Sequence, residues 1–70
     1  MTEQWVGREQ AQPGDVVVIH GHHQGEREQL GEILEVLGER EHVHFRVLWD
    51  DGRESVFYPG EDAAIRRPHG

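Results

Sequence analysis

Cysteine is absent from the 70-residue chain. Its absence excludes disulfides, thiolate zinc sites and a cysteine nucleophile. No apolar stretch approaches the roughly 18 residues of a membrane-spanning helix, and no signal-like hydrophobic segment follows Met1. We therefore expect a cytoplasmic protein with no membrane partner. A chain this short buries only about 60% of the surface that it exposes when unfolded, so one domain with a small core is expected.

Lysine is also absent: seven arginines face fourteen acids, and the formal net charge is −7. Proteins that bind a phosphate backbone use clustered cations that release counterions. Here the arginines are scattered, and only Arg66 and Arg67 are adjacent. Such an acidic surface repels polyanions and attracts cationic peptides or metal ions. We therefore predict that nucleic acid is not a partner, and that a protein or peptide is.

The clearest strand signal is the alternation in residues 42–49 (HVHFRVLW), whose odd-numbered side chains share one face. Asp51 and Gly52 follow, and they predict a tight turn in which both residues have positive φ. The chain returns as a strand over residues 53–59 (RESVFYP), which ends at a proline.

Two more strands are predicted on either side of this hairpin. The β-branched run VVVIH follows the turn signal Pro13-Gly14-Asp15, and alternation places Val17 and Ile19 in the core. Val16 and Val18 then need cover from another part of the chain or from a second copy. A turn or single-turn 3-10 helix over 59–62 precedes a last short strand around 64–66, in which Ile65 is buried.

Residues 26–37 are ambiguous. Leu30, Ile33, Leu34 and Leu37 have helical spacing, but Gly31 inside a helix would cost about 1 kcal/mol. A strand with a β-bulge explains the same pattern, because the bulge places Ile33 and residue 36 on one side. Local sequence pattern leaves both alternatives open.

The order of several short motifs resembles that of a family of small actinobacterial proteins catalogued as a domain of unknown function, with an SH3-like barrel fold. The resemblance covers about residues 13–65 and implies fold positions only, because the family brings no established catalytic or ligand residues. It favours a strand over residues 26–37. The motifs are Gly14-Asp15, His20-Gly21, Gly31-Glu32-Ile33, Val47-Leu48-Trp49-Asp50-Asp51-Gly52 and Phe57-Tyr58-Pro59-Gly60.

We therefore predict an all-β fold, a small five-stranded SH3-like barrel with a short 3-10 turn before the last strand. The barrel domain is expected over residues 13–67, after a flexible leader over 1–12 and before a tail over 68–70. Trp5 is large enough to dock on the domain or on a partner.

An aromatic strip rimmed by carboxylates is the first candidate site, because such strips bind cationic or proline-containing extended peptides. The alternative is that the rings form the core. Alternation predicts that Phe45 and Trp49 lie inside. It also predicts that one of the adjacent rings Phe57 and Tyr58 lies outside. The candidate peptide-binding residues are Trp49, Asp50, Asp51, Glu54, Phe57 and Tyr58.

Histidine supplies the second candidate site, since six of 70 residues are His and their protonation would move the formal charge from −7 to −1. His20, His22 and His23 are candidate metal ligands in a polar loop that also contains Glu26 and Glu28. Solvated loop histidines explain the same residues. A metal-binding or pH-responsive protein is therefore the alternative function.

Catalysis is not expected, and no cofactor is implied. Ser55 lies in a predicted strand without the flanking glycines of a nucleophile elbow. A domain of this size has little room for an enclosed substrate pocket. The sequence thus predicts a non-catalytic interaction module, and exposed Val16, Val18 and Leu48 would favour a homodimer.

Overall fold

A computed structural model describes residues 4–20, 28–60 and 63–68. Within these ranges the chain is all-β, with one antiparallel sheet in the order β1-β6-β2-β3-β4-β5 and 3-10 turns at Arg8–Gln10 and Arg40–His42. This part of the chain contains no helix with the length and apolarity needed to cross a membrane. The strands are β1 (Gln4–Val6), β2 (Val16–Ile19), β3 (Gln29–Leu37), β4 (His44–Trp49), β5 (Glu54–Phe57) and β6 (Ala63–Arg67).

The ambiguous segment forms strand β3, so the helical alternative is excluded over residues 29–37. Ile33 pairs with Val47 of β4 and Glu35 pairs with Arg46, so Leu34 is the extra residue of a β-bulge. The bulge places both Ile33 and Val36 against the core, which confirms the bulged-strand prediction.

The predicted turn before β2 is present. Asp15 N donates to Gln12 O at 3.1 Å, and Gly14 has φ 96°, as expected where Pro and Gly occupy the centre of a type II turn. Val17 is fully buried, and Ile19 packs against the core as predicted. Val18, on the opposite face, is only 1% exposed, so the expectation that an exposed Val18 favours a homodimer is wrong.

The β4–β5 hairpin forms as predicted, but its turn differs from the expected pair of positive-φ residues. Among Asp50, Asp51 and Gly52 only Gly52 has positive φ, at 90°. Gly52 N donates to Trp49 O at 2.9 Å, and Trp49 N donates to Arg53 O at 2.7 Å. The connection is therefore the longer kind, in which a turn is followed by one left-handed glycine.

Six strands form the sheet where the sequence predicts five, and β1 comes from the predicted leader. Its residues pair with β6, with Val6 opposite Ile65, and Val6 packs against the core. Burial of Val6 is the physical reason that this short segment joins the sheet. Between β5 and β6, Ala63 N donates to Gly60 O at 3.2 Å, where a short turn is predicted; residues 61 and 62 lie outside the described ranges.

The core lies on one face of the sheet, which we call the inner face. The predicted alternation of β4 is confirmed, since its odd-numbered residues and Val43 before it are all buried. The buried core residues are Val17, Ile33, Val43, Phe45, Val47, Trp49 and Ile65.

An ion pair with a buried carboxylate joins the start of β2 to the end of β6. Asp15 is 2% exposed, and its Oδ1 and Oδ2 accept hydrogen bonds from Nε and Nη2 of Arg67, both at 3.0 Å. This bond raises the pKa of the Arg67 guanidinium above its ordinary value. Arg67 also donates to Gln10 O at 3.2 Å. The Gly14-Asp15 motif therefore has a structural role, because it anchors the last strand beside the start of β2.

Candidate functional site

Of the six candidate peptide-binding residues, Trp49 is a core residue, and Phe57 is half-buried and packs against the core. Trp49 is 7% exposed, and its ring meets Phe57 edge-on with centroids 5.5 Å apart. The Trp49 indole Nε1 donates to Ser55 Oγ at 2.8 Å. The predictions that Phe45 and Trp49 lie inside are confirmed. Ser55 has a structural role, because its hydroxyl oxygen accepts the hydrogen bond from the indole N–H of Trp49.

The three candidate carboxylates are exposed, and the chain's own arginines bind two of them. Asp51 Oδ2 lies 2.8 Å from Arg53 Nε, and Glu54 Oε2 lies 2.6 Å from Arg46 Nη1. The pKa of Asp51 is lowered, chiefly by the hydrogen bond from the Arg53 backbone N–H. The pKa of Arg46 is raised, first by its bond to Glu54. These contacts satisfy carboxylates that the sequence analysis assigned to a cationic partner.

Asp50 also has a local partner, because its Oδ2 accepts a hydrogen bond from Leu30 N at 3.4 Å. The structure therefore does not bring the six candidate residues together on one exposed surface. Trp49 and Phe57 contact each other on the inner face, while the carboxylates surround the turn between β4 and β5.

Tyr58 is the candidate ring that lies outside, at 69% exposed. It stacks on the imidazole of His44, with ring centroids 4.6 Å apart and planes 17° from parallel. His44 Nδ1 lies 3.0 Å from the carbonyl oxygen of His42, so Nδ1 carries the proton that this bond needs. Two fixed contacts thus hold a flat aromatic pair at the surface.

A groove lies beside this aromatic pair. Arg8 Nη1 donates to Pro59 O at 3.4 Å. Two clefts, of about 280 and 370 Å³, adjoin this contact, and Arg8 and Pro59 line both of them. Trp5, 60% exposed, lines the first cleft. His44 and Tyr58 line the second cleft. We define the Tyr58 groove as Trp5, Arg8, His44, Tyr58 and Pro59.

His44 and Arg8 are not among the candidate site residues predicted from the sequence, although one signal indicates His44. Phe45 pairs with Phe57 in the hairpin, so the same register places His44 opposite Tyr58. Nothing local could have placed Arg8, since Pro59 is 51 residues away in the chain.

The candidate metal ligands are only partly within the described residues. His20 Nδ1 lies 2.9 Å from Glu28 Oε2, and both side chains are more than half exposed. His22 and His23 lie outside the described ranges. Among the residues that the structure describes, no three histidine or carboxylate side chains are placed to hold a metal ion together.

Comparison with protein-family models matches residues 10–65 to a family described as Domain of unknown function (DUF1918). The match includes β2 to β5, the groove residues His44, Tyr58 and Pro59, and the first three residues of β6. A search of curated proteins and a search of solved structures each returned no match.

Proposed function

The chain belongs to the family described as Domain of unknown function (DUF1918), and this description names no activity. From the geometry of the groove we propose that the protein is a non-catalytic interaction module. It binds an extended, proline-containing peptide in the Tyr58 groove. The observation that carries this proposal is the surface pair of Tyr58 and His44, stacked at 4.6 Å beside Pro59 and Arg8. Trp5 adds a second exposed ring on the other side of the Arg8–Pro59 contact.

Proline-containing segments suit such a surface for two physical reasons. They are already extended in the polyproline II conformation, so binding orders few dihedrals, and their rings pack flat against aromatic faces. Tyr58 is held by stacking on His44, which lowers the entropy that the groove loses on binding. The tyrosine hydroxyl and the Arg8 guanidinium are available donors for peptide carbonyls.

Charge supports a protein partner over nucleic acid. The net charge of −7 opposes the approach of a polyanion. The carboxylates of Asp51 and Glu54 are bound by arginines of the same chain, so they contribute less to recognition than the sequence analysis assumes. Ring contacts in the groove are therefore the main source of affinity, and charge is a secondary one.

We also propose that the fold is an SH3-like barrel of actinobacterial origin, as the resemblance implies. The strand order supports the fold: β2 to β5 pair consecutively, and β6 returns to the free side of β2. The bulge in β3 gives the sheet a point at which to bend. The Arg8–Pro59 contact also brings the residues that follow the two edge strands, β1 and β5, together.

The test is titration of the isotope-labelled protein with a short polyproline peptide, followed by NMR. We expect saturable shifts at Trp5, His44 and Tyr58, and no comparable shifts with an alanine peptide of equal length. Tyr58→Ala should weaken binding at least about tenfold, or about 1.4 kcal/mol. Val56→Ala is the matched control, because Val56 lies in β5 two residues before Tyr58, is 50% exposed and lines neither cleft of the groove.

Two outcomes would contradict the proposal. One is a peptide affinity that Tyr58→Ala leaves unchanged, which would place binding elsewhere. The other is a pull-down or peptide-array screen that returns only nucleic acid, which would overturn the class of partner.

A further inference from the structure

The face of the sheet opposite the core carries a row of residues that alternate between apolar and charged. We call this the outer face. The strand registers place one residue from each strand directly opposite the next, so the row crosses the whole sheet. From β1 to β5 through β6, β2, β3 and β4, the row is Trp5, Arg66, Val16, Glu32, Leu48 and Glu54.

The middle of this row is a shallow apolar depression of about 340 Å³. Val16 and Leu30 are half-buried, and Leu48 is 39% exposed. Arg66 and Glu32 also line the depression, one on either side of Val16. We define the Val16 face as Val16, Leu30, Glu32, Leu48 and Arg66. It is separate from the Tyr58 groove, since the two share no residue.

The charges of the Val16 face are arranged symmetrically about β2. Arg66 pairs with Val16 on one side and Glu32 pairs with Val16 on the other, so the backbone of each charged residue lies one strand spacing, about 4.8 Å, from that of Val16. Consider a two-fold axis that runs parallel to β2 just above the outer face. Rotation about it stacks the outer faces of two copies, so that the β6 side of one copy lies over the β3 side of the other. Arg66 of each copy then faces Glu32 of the other, and Val16 faces Val16.

From this arrangement we propose that the Val16 face binds a second copy of the same chain, forming a symmetric homodimer. An interface of this kind is isologous, so one favourable contact occurs twice. A uniformly cationic or anionic partner would match only one side of Val16 and would be repelled at the other. The face is therefore complementary to itself, and the dimer buries the apolar surface of Val16 and Leu48.

Association is expected in the micromolar to millimolar range. Each copy carries a net charge of −7, which opposes approach, and the apolar part of the face is small. Sedimentation velocity over increasing protein concentration should show a shift from monomer to dimer. Methyl resonances of Val16 and Leu48 should broaden over the same concentrations.

The decisive test uses charge reversal. Arg66→Glu places two acids opposite each other across the axis, and Glu32→Arg places two arginines there. Each variant alone should dimerise at least tenfold more weakly than the natural chain. When the two variants are mixed, every facing pair is again of opposite charge, so a mixed dimer should form.

Recovery on mixing separates this proposal from a folding defect, because two misfolded variants would not restore association. Glu39→Arg is the matched control for a change of charge at an exposed position away from the face, and it should leave dimerisation unchanged. Tyr58→Ala should also leave it unchanged. A natural chain that stays monomeric at millimolar concentration, or single variants that dimerise as well as it does, would overturn the proposal. A mixture that forms no dimer would do the same.

Discussion

The absence of a side chain at Gly31 makes room for Trp49, and adding one methyl group tests this packing. A Cβ at position 31 would lie 2.4 Å from Val47 Cγ1, and 2.6 and 2.9 Å from two carbons of the Trp49 ring. All three distances are well inside van der Waals contact. Gly31→Ala therefore requires Val47, Trp49 or the backbone of β3 to move.

Neither neighbour can move freely. Val47 is fully buried, and Trp49 is held by its bond to Ser55 and its edge contact with Phe57. Overpacking a core typically costs about 1–3 kcal/mol, and the three short contacts place Gly31→Ala in the upper half of that range. Loss of chain entropy in the unfolded state returns about 0.4–1 kcal/mol. The net loss is about 2 kcal/mol, a large part of the roughly 4–10 kcal/mol expected for a domain of this length.

Thermal unfolding followed by circular dichroism measures the effect. A loss of about 2 kcal/mol lowers the Tm of a domain this small by about 10 °C. Gly60→Ala is the matched control, because a Cβ there meets no atom within 4 Å and its φ is not positive. The control should unfold at the Tm of the natural chain or slightly above it. If Gly31→Ala is as stable as Gly60→Ala, the close contact with Trp49 is not a real constraint on the fold.

Two further predictions concern charged groups. Arg67→Ala leaves the buried carboxylate of Asp15 without its bidentate partner, so the midpoint of urea unfolding should fall to a lower urea concentration than that of the natural chain. An unchanged midpoint would contradict this. The pKa of Asp51 is lowered in the folded chain from its ordinary value of 3.8. The ionised carboxylate therefore stabilises the folded chain above pH 3.8, and this stabilisation is lost as the pH falls below 3.8 towards the lowered pKa. Asp51→Asn should therefore be less stable than the natural chain above pH 3.8 and converge with it at lower pH, and equal stability at every pH would refute the assignment.

Local pattern was sufficient for the strands whose side chains alternate. Phe45, Val47 and Trp49 are buried in the predicted register, and Ile65 is buried in the last strand as expected. Period-two alternation identifies such strands because successive side chains point to opposite faces. The bulge in β3 could be predicted as one of two alternatives only, since a single break in alternation also fits helical spacing.

Contacts between distant parts of the chain could not be predicted. β1 contains one apolar pair, which is too short for a periodic signal, and its partner strand lies about 60 residues later. The bond between Asp15 and Arg67 spans 52 residues, and sequence alone treats Arg67 as one half of a weak basic pair. Such contacts depend on the pairing order of the whole sheet, and no local sequence pattern indicates them.

The candidate peptide-binding residues were predicted only in part, for a related reason. The sequence places Phe57 and Tyr58 on opposite faces but does not say which one lies inside. Pairing of Phe57 with the fully buried Phe45 decides the matter. Once Tyr58 lies outside, its stacking partner His44 follows from the register, whereas the contact of Arg8 with Pro59 depends on how the sheet bends.

The tie between Asp15 and Arg67 also bears on how the protein is made. The ribosome synthesises the chain from its amino end. Asp15 therefore has no partner in this ion pair until Arg67, 52 residues later in the chain, has been synthesised. Until then β2 lacks its neighbour β6, and β1 has nothing to pair with. Translation must therefore pass residue 67 before the sheet can be completed, and a nascent chain stalled earlier presents unpaired strand edges to chaperones and proteases.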